Sequence, residues 1–484
     1  MRNSLSAVDY SDIQGLLRFG FGKLPDTRYY RLCIRDAAAA RAWLAVAPVS
    51  TAETKSPPPT RALQVAFTAS GLRKLGVREQ VVANFSPEFL SGMAGEADRS
   101  RRLGDLEDND PSKWQWGSPG DQIDLLAILF AADGQMAGWQ PEVCNAQWTQ
   151  AFDAADPLTT SDLKGREPFG FIDGISQPVP DWDRRRDTSQ DQLDYTNLVA
   201  LGEFILGYRN EYGKYTDRPV VESSYEGSEA LLAAEDDPGK RDLGRNGSYL
   251  VMRQLEQNVS GFWDFVNHQT TASFRGKQLA EAMVGRRLDD GAPLVPLGAE
   301  AIEGIQVAAG QPENRFTYGG DPEGNRCPFG AHIRRSNPRN SDLPGRPTGL
   351  IARTWAKLGG GEGNLRDDLI ASTRFHRLLR RGREYGHPRQ DAKPCGLHFV
   401  CLNANITRQF EFVQNAWIVN GKFNALPDES DPLLGAPGGS FSIPRDGMCP
   451  SRVTGIPRFI TVRGGAYFFL PSLRAIRYFA RSAK

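Results

Sequence analysis

The chain has 484 residues, a length that favours two or three structural units over one small module. Lys plus Arg and Asp plus Glu total 58 each, so the formal net charge is zero and the basic excess of a dedicated nucleic-acid binder is missing. Arginine outnumbers lysine 46 to 12, histidine is confined to five positions, and the six cysteines form no CxxC pair, which argues against a zinc knuckle or a disulfide framework.

Tyr29 to Ile34 reads as a strand and Ala37 to Val46 as a helix. Ser56 to Thr60 (SPPPT) breaks the chain before a strand over Ala62 to Thr68 and a helix with Ser70 as its N-cap. Ser86 to Gly95 supplies a further helix with Pro87 in its first turn, and the apolar run Ile123 to Ala131 is short enough for a buried strand. This order is that of a ferredoxin-like α+β unit. A similar rhythm returns later: a strand over Ser248 to Leu255 and a helix through Trp263, a helix over Phe274 to Arg286, and a strand over Leu397 to Ala404 leading into ITRQFEFVQNAW. The last residues, SLRAIRYFARSAK, read as a basic helix. AFTASGLRKL and CLNANITRQF share one shape, a strand whose small or polar end opens a helix, which suggests internal duplication. The expected division is an N-terminal ferredoxin-like domain over 1–160, an inter-domain segment over 161–247 and a C-terminal ferredoxin-like domain over 248–484. No run approaches the roughly 18 apolar residues of a membrane span. The start, MRNSLSAVDYSDIQ, has no basic region followed by an apolar one, so a cytoplasmic protein is expected.

Long loops inside compact domains are usually functional or disordered, so chemistry is sought in the loop-rich stretches near 153–246 and 288–374. The first contains PFGFIDGISQPVP, where Gly170 and Gly174 free the backbone to present Asp173 from a proline-bounded turn; locally, an ordinary Asx-turn carboxylate fits as well. The second contains RCPFGAHIRRSNPRN, with His332 among small and apolar neighbours and Arg334, Arg335 and Arg339 after it. A neutral imidazole can ligate iron while guanidiniums hold carboxylates; taken alone, a hydrogen-bonded core histidine is the competing reading. In a third segment, ASTRFHRLLRRGREYG, Arg374, Arg377, Arg380, Arg381 and Arg383 crowd a stretch expected to be helical to about Gly382, for which a solvated basic face is the alternative. Gly359 to Asn364 (GGGEGN) lacks the context of a phosphate cradle and reads as a surface loop. His268, His376, His387 and His398 form no close ligand pair.

Together these segments resemble the dye-decolourising (DyP-type) peroxidases, haem enzymes with two ferredoxin-like domains. GFIDG matches the family's GxxDG motif, CPFGAHIRRSNPR its proximal-histidine segment and FHRLLRRGREYG its distal-arginine segment, in the family's order and with lengths like those of its larger-chain branch. The resemblance implies a dimeric α+β barrel type fold enclosing one haem b per chain. His332 would be the axial ligand, Asp173 the distal acid/base and Arg380 the distal arginine. Arg334, Arg335 and Arg339, with Gly174, are assigned to haem binding. Glu411 in QFEF is the candidate carboxylate for the second nitrogen of His332, with Asp321 and Asp342 as others. Tyr385 and Trp417 are candidates for relaying electrons, against a packing role. Hydrogen peroxide and small aromatic electron donors are the implied partners, with no nucleic acid or membrane and a monomeric or homodimeric state. The rival reading is a haem carrier, against which Asp173 and Arg380 argue, since a carrier has no use for them.

Overall fold

The computed structural model describes residues 7–121, 123–186, 197–269, 276–295, 314, 316–339, 373–388, 393–445 and 447–481. In the first half, β1 (Asp26–Ile34), β2 (Arg61–Phe67), β3 (Leu125–Ala131) and β4 (Phe152–Ala154) lie side by side in the order β2-β3-β1-β4, all antiparallel. The second half contributes β5 (Ser248–Gln257), β6 (Leu379–Arg380), β7 (Arg383–Tyr385), β8 (Gly396–Asn403) and β9 (Ile460–Leu470). There β6 and β7 pair with β8, β8 with β5, and β5 with β9. Counting strands within each half gives the order 2-3-1-4 twice, the ferredoxin-like arrangement. The two sheets meet edge to edge, where Phe469 pairs with Phe67.

Both faces are buried, one under helices and the other under loop segments that include the short helix Leu16–Phe19, and the sequence records this. Strand β3, LLAILFA, is buried along its whole length. Leu125, Ala127, Leu129 and Ala131 enter one core, while Leu126, Ile128 and Phe130 enter the other. A strand with two dry faces shows no polar alternation, which is why it reads as an unbroken apolar run. The helix Ala37–Val46 starts where expected because Asp36 accepts hydrogen bonds from the N–H groups of Ala38 and Ala39. No helix among the described residues is long and apolar enough to cross a membrane.

Three expectations are corrected. The helix after β2 is capped by Thr68, whose hydroxyl accepts the Gly71 N–H, while Ser70 turns its hydroxyl to Asp124. AFTASGLRKL and CLNANITRQF are not equivalent positions, since β2 is the second strand of its half and β8 the third. Finally, the arginine-rich segment around Arg380 is not helical. It forms β6 and β7 against β8, and Gly382 between them is required because a Cβ there would stand 2.7 Å from the His398 carbonyl oxygen. Asp342 and the loop 359–364 lie outside the described residues.

Candidate active site

Asp173 stands at the base of a tight hairpin. Its N–H donates to the Gly165 carbonyl at 3.0 Å, Glu167 N–H donates to the Phe171 carbonyl at 2.9 Å, and Gly170 (φ 104°) closes the turn on the Glu167 carbonyl at 2.8 Å. The Glu167 carboxylate fills this turn, accepting from Phe169 N–H, Phe171 N–H and Gln257 Nε2 at 3.0, 2.8 and 2.7 Å. Burial pushes its pKa up to about 7, against the opposing pull of those donors. Arg166 straps the same hairpin to the carbonyls of Leu288 and Asp289. Gly174 follows with φ 78° and open space where a Cβ would stand.

Strand alternation brings Arg380 to this carboxylate. Leu378, Arg380 and Gly382 line one cavity, whereas Leu379 joins the core on the opposite side and Arg381 binds the carbonyls of Leu16 and Leu17. Arg380 donates Nη2 to the Ser176 carbonyl at 3.0 Å and lies 3.7 Å from Asp173 Oδ1, both side chains partly exposed to the cavity.

His332 opens the short helix His332–Ser336 and lines the same cavity. Its Nδ1 lies 2.9 Å from Asp431 Oδ2, and Asp431 Oδ1 accepts the N–H groups of Leu433 and Leu434. Burial works against the charged imidazole, but Asp431 outweighs it and holds the His332 pKa above its ordinary value; the charges of Arg380 and Asp173 are also felt at the ring. The other ring nitrogen, Nε2, has no hydrogen-bond partner among the described residues.

Several sequence assignments are overturned. Glu411 does not reach His332: it pairs with Arg99 at 2.8 Å and accepts from the Tyr467 hydroxyl at 3.0 Å. Phe410, Val413, Gln414 and Trp417 of the π-helical segments Thr407–Glu411 and Val413–Ile418 line the cavity, and the position after Phe410 is swung away from it. Asp321 is occupied by the N–H groups of Arg326 and Cys327 and by Arg334. The partner of His332 is Asp431, which the sequence reading missed; its Asp-Pro-Leu-Leu context signals a turn but nothing links it to a histidine 99 residues away.

Arg334 and Arg335 are also not cavity residues. His332, Ile333 and Ser336 share the cavity face of their helix, so the two positions between them point into the protein. Arg334 binds the Cys327 carbonyl and Asp321, and Arg335 binds the carbonyls of Trp417, Glu429 and Asn420. Arg339 does line the cavity. Trp417 lines it too, whereas Tyr385 is buried away from it, stacked on His398 at 4.5 Å. His376 stacks on Phe412 at 3.6 Å, and burial lowers its pKa to about 4.

The cavity therefore has an imidazole with one nitrogen uncommitted, a carboxylate–guanidinium pair, cationic lining, and apolar walls that include Leu255, Phe399, Phe410 and Ile460. That donor set fits a flat apolar macrocycle that needs one axial nitrogen and carries acidic side chains. No protein-family model matches the sequence. A dye-decolorizing peroxidase of Mycetinis scorodonius is 27% identical, over 98% of this chain and 88% of its own. A multifunctional dye peroxidase of an Amycolatopsis species is 28% identical, over 86% of this chain and 81% of its own. In fold, a DyP-type peroxidase of Auricularia auricula-judae superposes with a TM-score of 0.72 at 24% identity, covering 98% of this chain and all of that one. The motifs stand in the order of the dye-decolourising, DyP-type peroxidases, and the chain is similar to members of that family over nearly its whole length and shares their fold.

Proposed function

We propose that this protein reduces hydrogen peroxide at one haem b per chain, held through His332, with Asp173 and Arg380 as the peroxide-handling pair, and oxidises dyes, phenolics or other small aromatic donors one electron at a time. The observation that carries this reading is the convergence on one cavity of His332, with Nδ1 engaged by Asp431, and the Asp173–Arg380 pair. Haem, when bound, supplies the redox chemistry by which peroxide is reduced and donors are oxidised.

The protein's own part is proton handling and charge. Asp173, as a carboxylate, takes the proton from one peroxide oxygen and returns it to the departing one, so a single group serves as base and then acid. Arg380 stabilises negative charge on the departing oxygen, and its bond to the Ser176 carbonyl fixes its aim beforehand. Asp431 accepts the Nδ1 proton of His332, fixing the tautomer that presents Nε2 and making the imidazole a stronger donor. A haem carrier needs His332 but gives no reason for the Asp173–Arg380 pair.

Purified protein is expected to show a Soret band and peroxide-dependent oxidation of an anthraquinone dye. Asp173→Asn and Arg380→Leu should each keep the Soret band and lose about 100-fold or more of peroxide turnover. Full turnover in both variants with haem bound would sink the mechanism.

A further inference from the structure

Arg286, outside every motif singled out in the sequence, lies in the cavity wall. The helix Lys277–Val284 ends at Gly285, whose φ of 95° only glycine adopts readily and whose Cβ, if present, would meet Ile333 Cγ1 at 2.5 Å. The missing Cβ lets this helix end abut the residue next to His332, and Arg286 comes immediately after. Arg286 is 5% exposed and donates Nη1 to the Gly291 carbonyl at 2.7 Å.

Arg339 stands close by. Both guanidiniums face the ring of Phe316, with Cζ atoms 5.8 Å (Arg286) and 3.8 Å (Arg339) from its centroid. Arg339 gives Nη1 to the carbonyls of Asn314 and Phe316 and Nη2 to Asn314 Oδ1 and Ser176 Oγ, so it is held as a fixed charge. Burial, then the like charges of Arg339 and Arg380, push Arg286 down to about 10. Positive charge gathered at the wall of a largely apolar cavity is stabilised by an anion entering beside it, and a guanidinium matches a carboxylate with two parallel hydrogen bonds.

We infer that Arg286 anchors a carboxylate of the molecule that fills the cavity, with Arg339 adding positive charge beside it. This rests on the haem reading above, in which that molecule carries two propionates. It moves the role from Arg334 and Arg335, which are spent on main-chain carbonyls and Asp321, to a residue that the chain brings in from a distant helix end.

The test titrates the full-length apoprotein with ferric protoporphyrin IX and with its dimethyl ester, which keeps ring and iron but lacks carboxylates. Binding is read from quenching of tryptophan fluorescence. Wild type should prefer the free acid. Arg286→Gln, which retains a donor for the Gly291 carbonyl but no charge, should narrow that preference by about tenfold or more. Equal weakening toward both ligands, or an unchanged preference, overturns the proposal. Should the glutamine variant not fold, Arg286→Lys decides: a point charge in place of the fork is expected to reduce the preference, and an unchanged one overturns the proposal. If wild type binds neither ligand, the haem reading itself fails; if it binds both and only the Arg286 effect is missing, that reading stands.

Discussion

Asp431 divides its two oxygens between His332 and the N–H groups of Leu433 and Leu434, so the carboxylate that orients the imidazole is itself pinned to the backbone. Partners of this kind are worth about 10- to 100-fold in affinity at metal-ligating histidines. Asp431→Asn should therefore speed haem transfer to apomyoglobin by about that factor. Glu411→Gln, placed on Arg99 and Tyr467 instead, should leave the transfer rate near wild type. The comparison separates the carboxylate named as first candidate from the sequence from the one the fold delivers. The helical position of Glu411 was legible, but which way it faced depended on what packs on that helix, and Arg99 comes from 312 residues earlier.

At the scale of elements, the site is tied together by arginines that do no chemistry. Arg335 joins the helix His332–Ser336 to the cavity-lining helical segments and the loop behind them through three main-chain carbonyls. Arg335→Met keeps much of the volume but strands those acceptors, and at about 1 kcal/mol or more for each it should cost at least ~3 kcal/mol, seen as a lower melting temperature. The strand pair β6 and β7 carries a second lesson. A run of arginines and leucines fits helix and strand propensities alike, so composition did not decide; pairing with β8 did, and period-two alternation then sends Arg380 to the cavity and Arg381 to the opposite layer.

Across the whole molecule, buried titratable groups pull stability in opposite directions with pH. His398, 1% exposed between Tyr29 and Tyr385, has its pKa lowered to about 4 by burial. The unfolded chain then binds the extra proton, and stability is lost as pH falls from about 6.5 to 4. Glu203, fully buried beside Arg408, is pushed up to about 7 by desolvation. Here the folded chain binds the extra proton, and stability is lost as pH rises from about 4.5 to 7. Each full shift is worth about 3 kcal/mol, so the two nearly cancel over their common window. Urea denaturation should show His398→Phe losing stability with rising pH relative to wild type in that window, and Glu203→Gln gaining it.

The sequence by itself determined the α+β, ferredoxin-like class of the two halves and the three motif segments, because these depend on local information: apolar runs, glycines in turns and motifs read in order. Only the tertiary structure decided that Asp431 and not Glu411 meets His332, that Arg334 and Arg335 turn inward, and that Arg286 enters the cavity wall. These are contacts between residues far apart in the chain, set by which face of a short element is buried. Among the described residues, part of the arginine excess at zero net charge is a set of buried guanidiniums holding carbonyls and carboxylates, while Arg286, Arg339, Arg377 and Arg380 line the cavity.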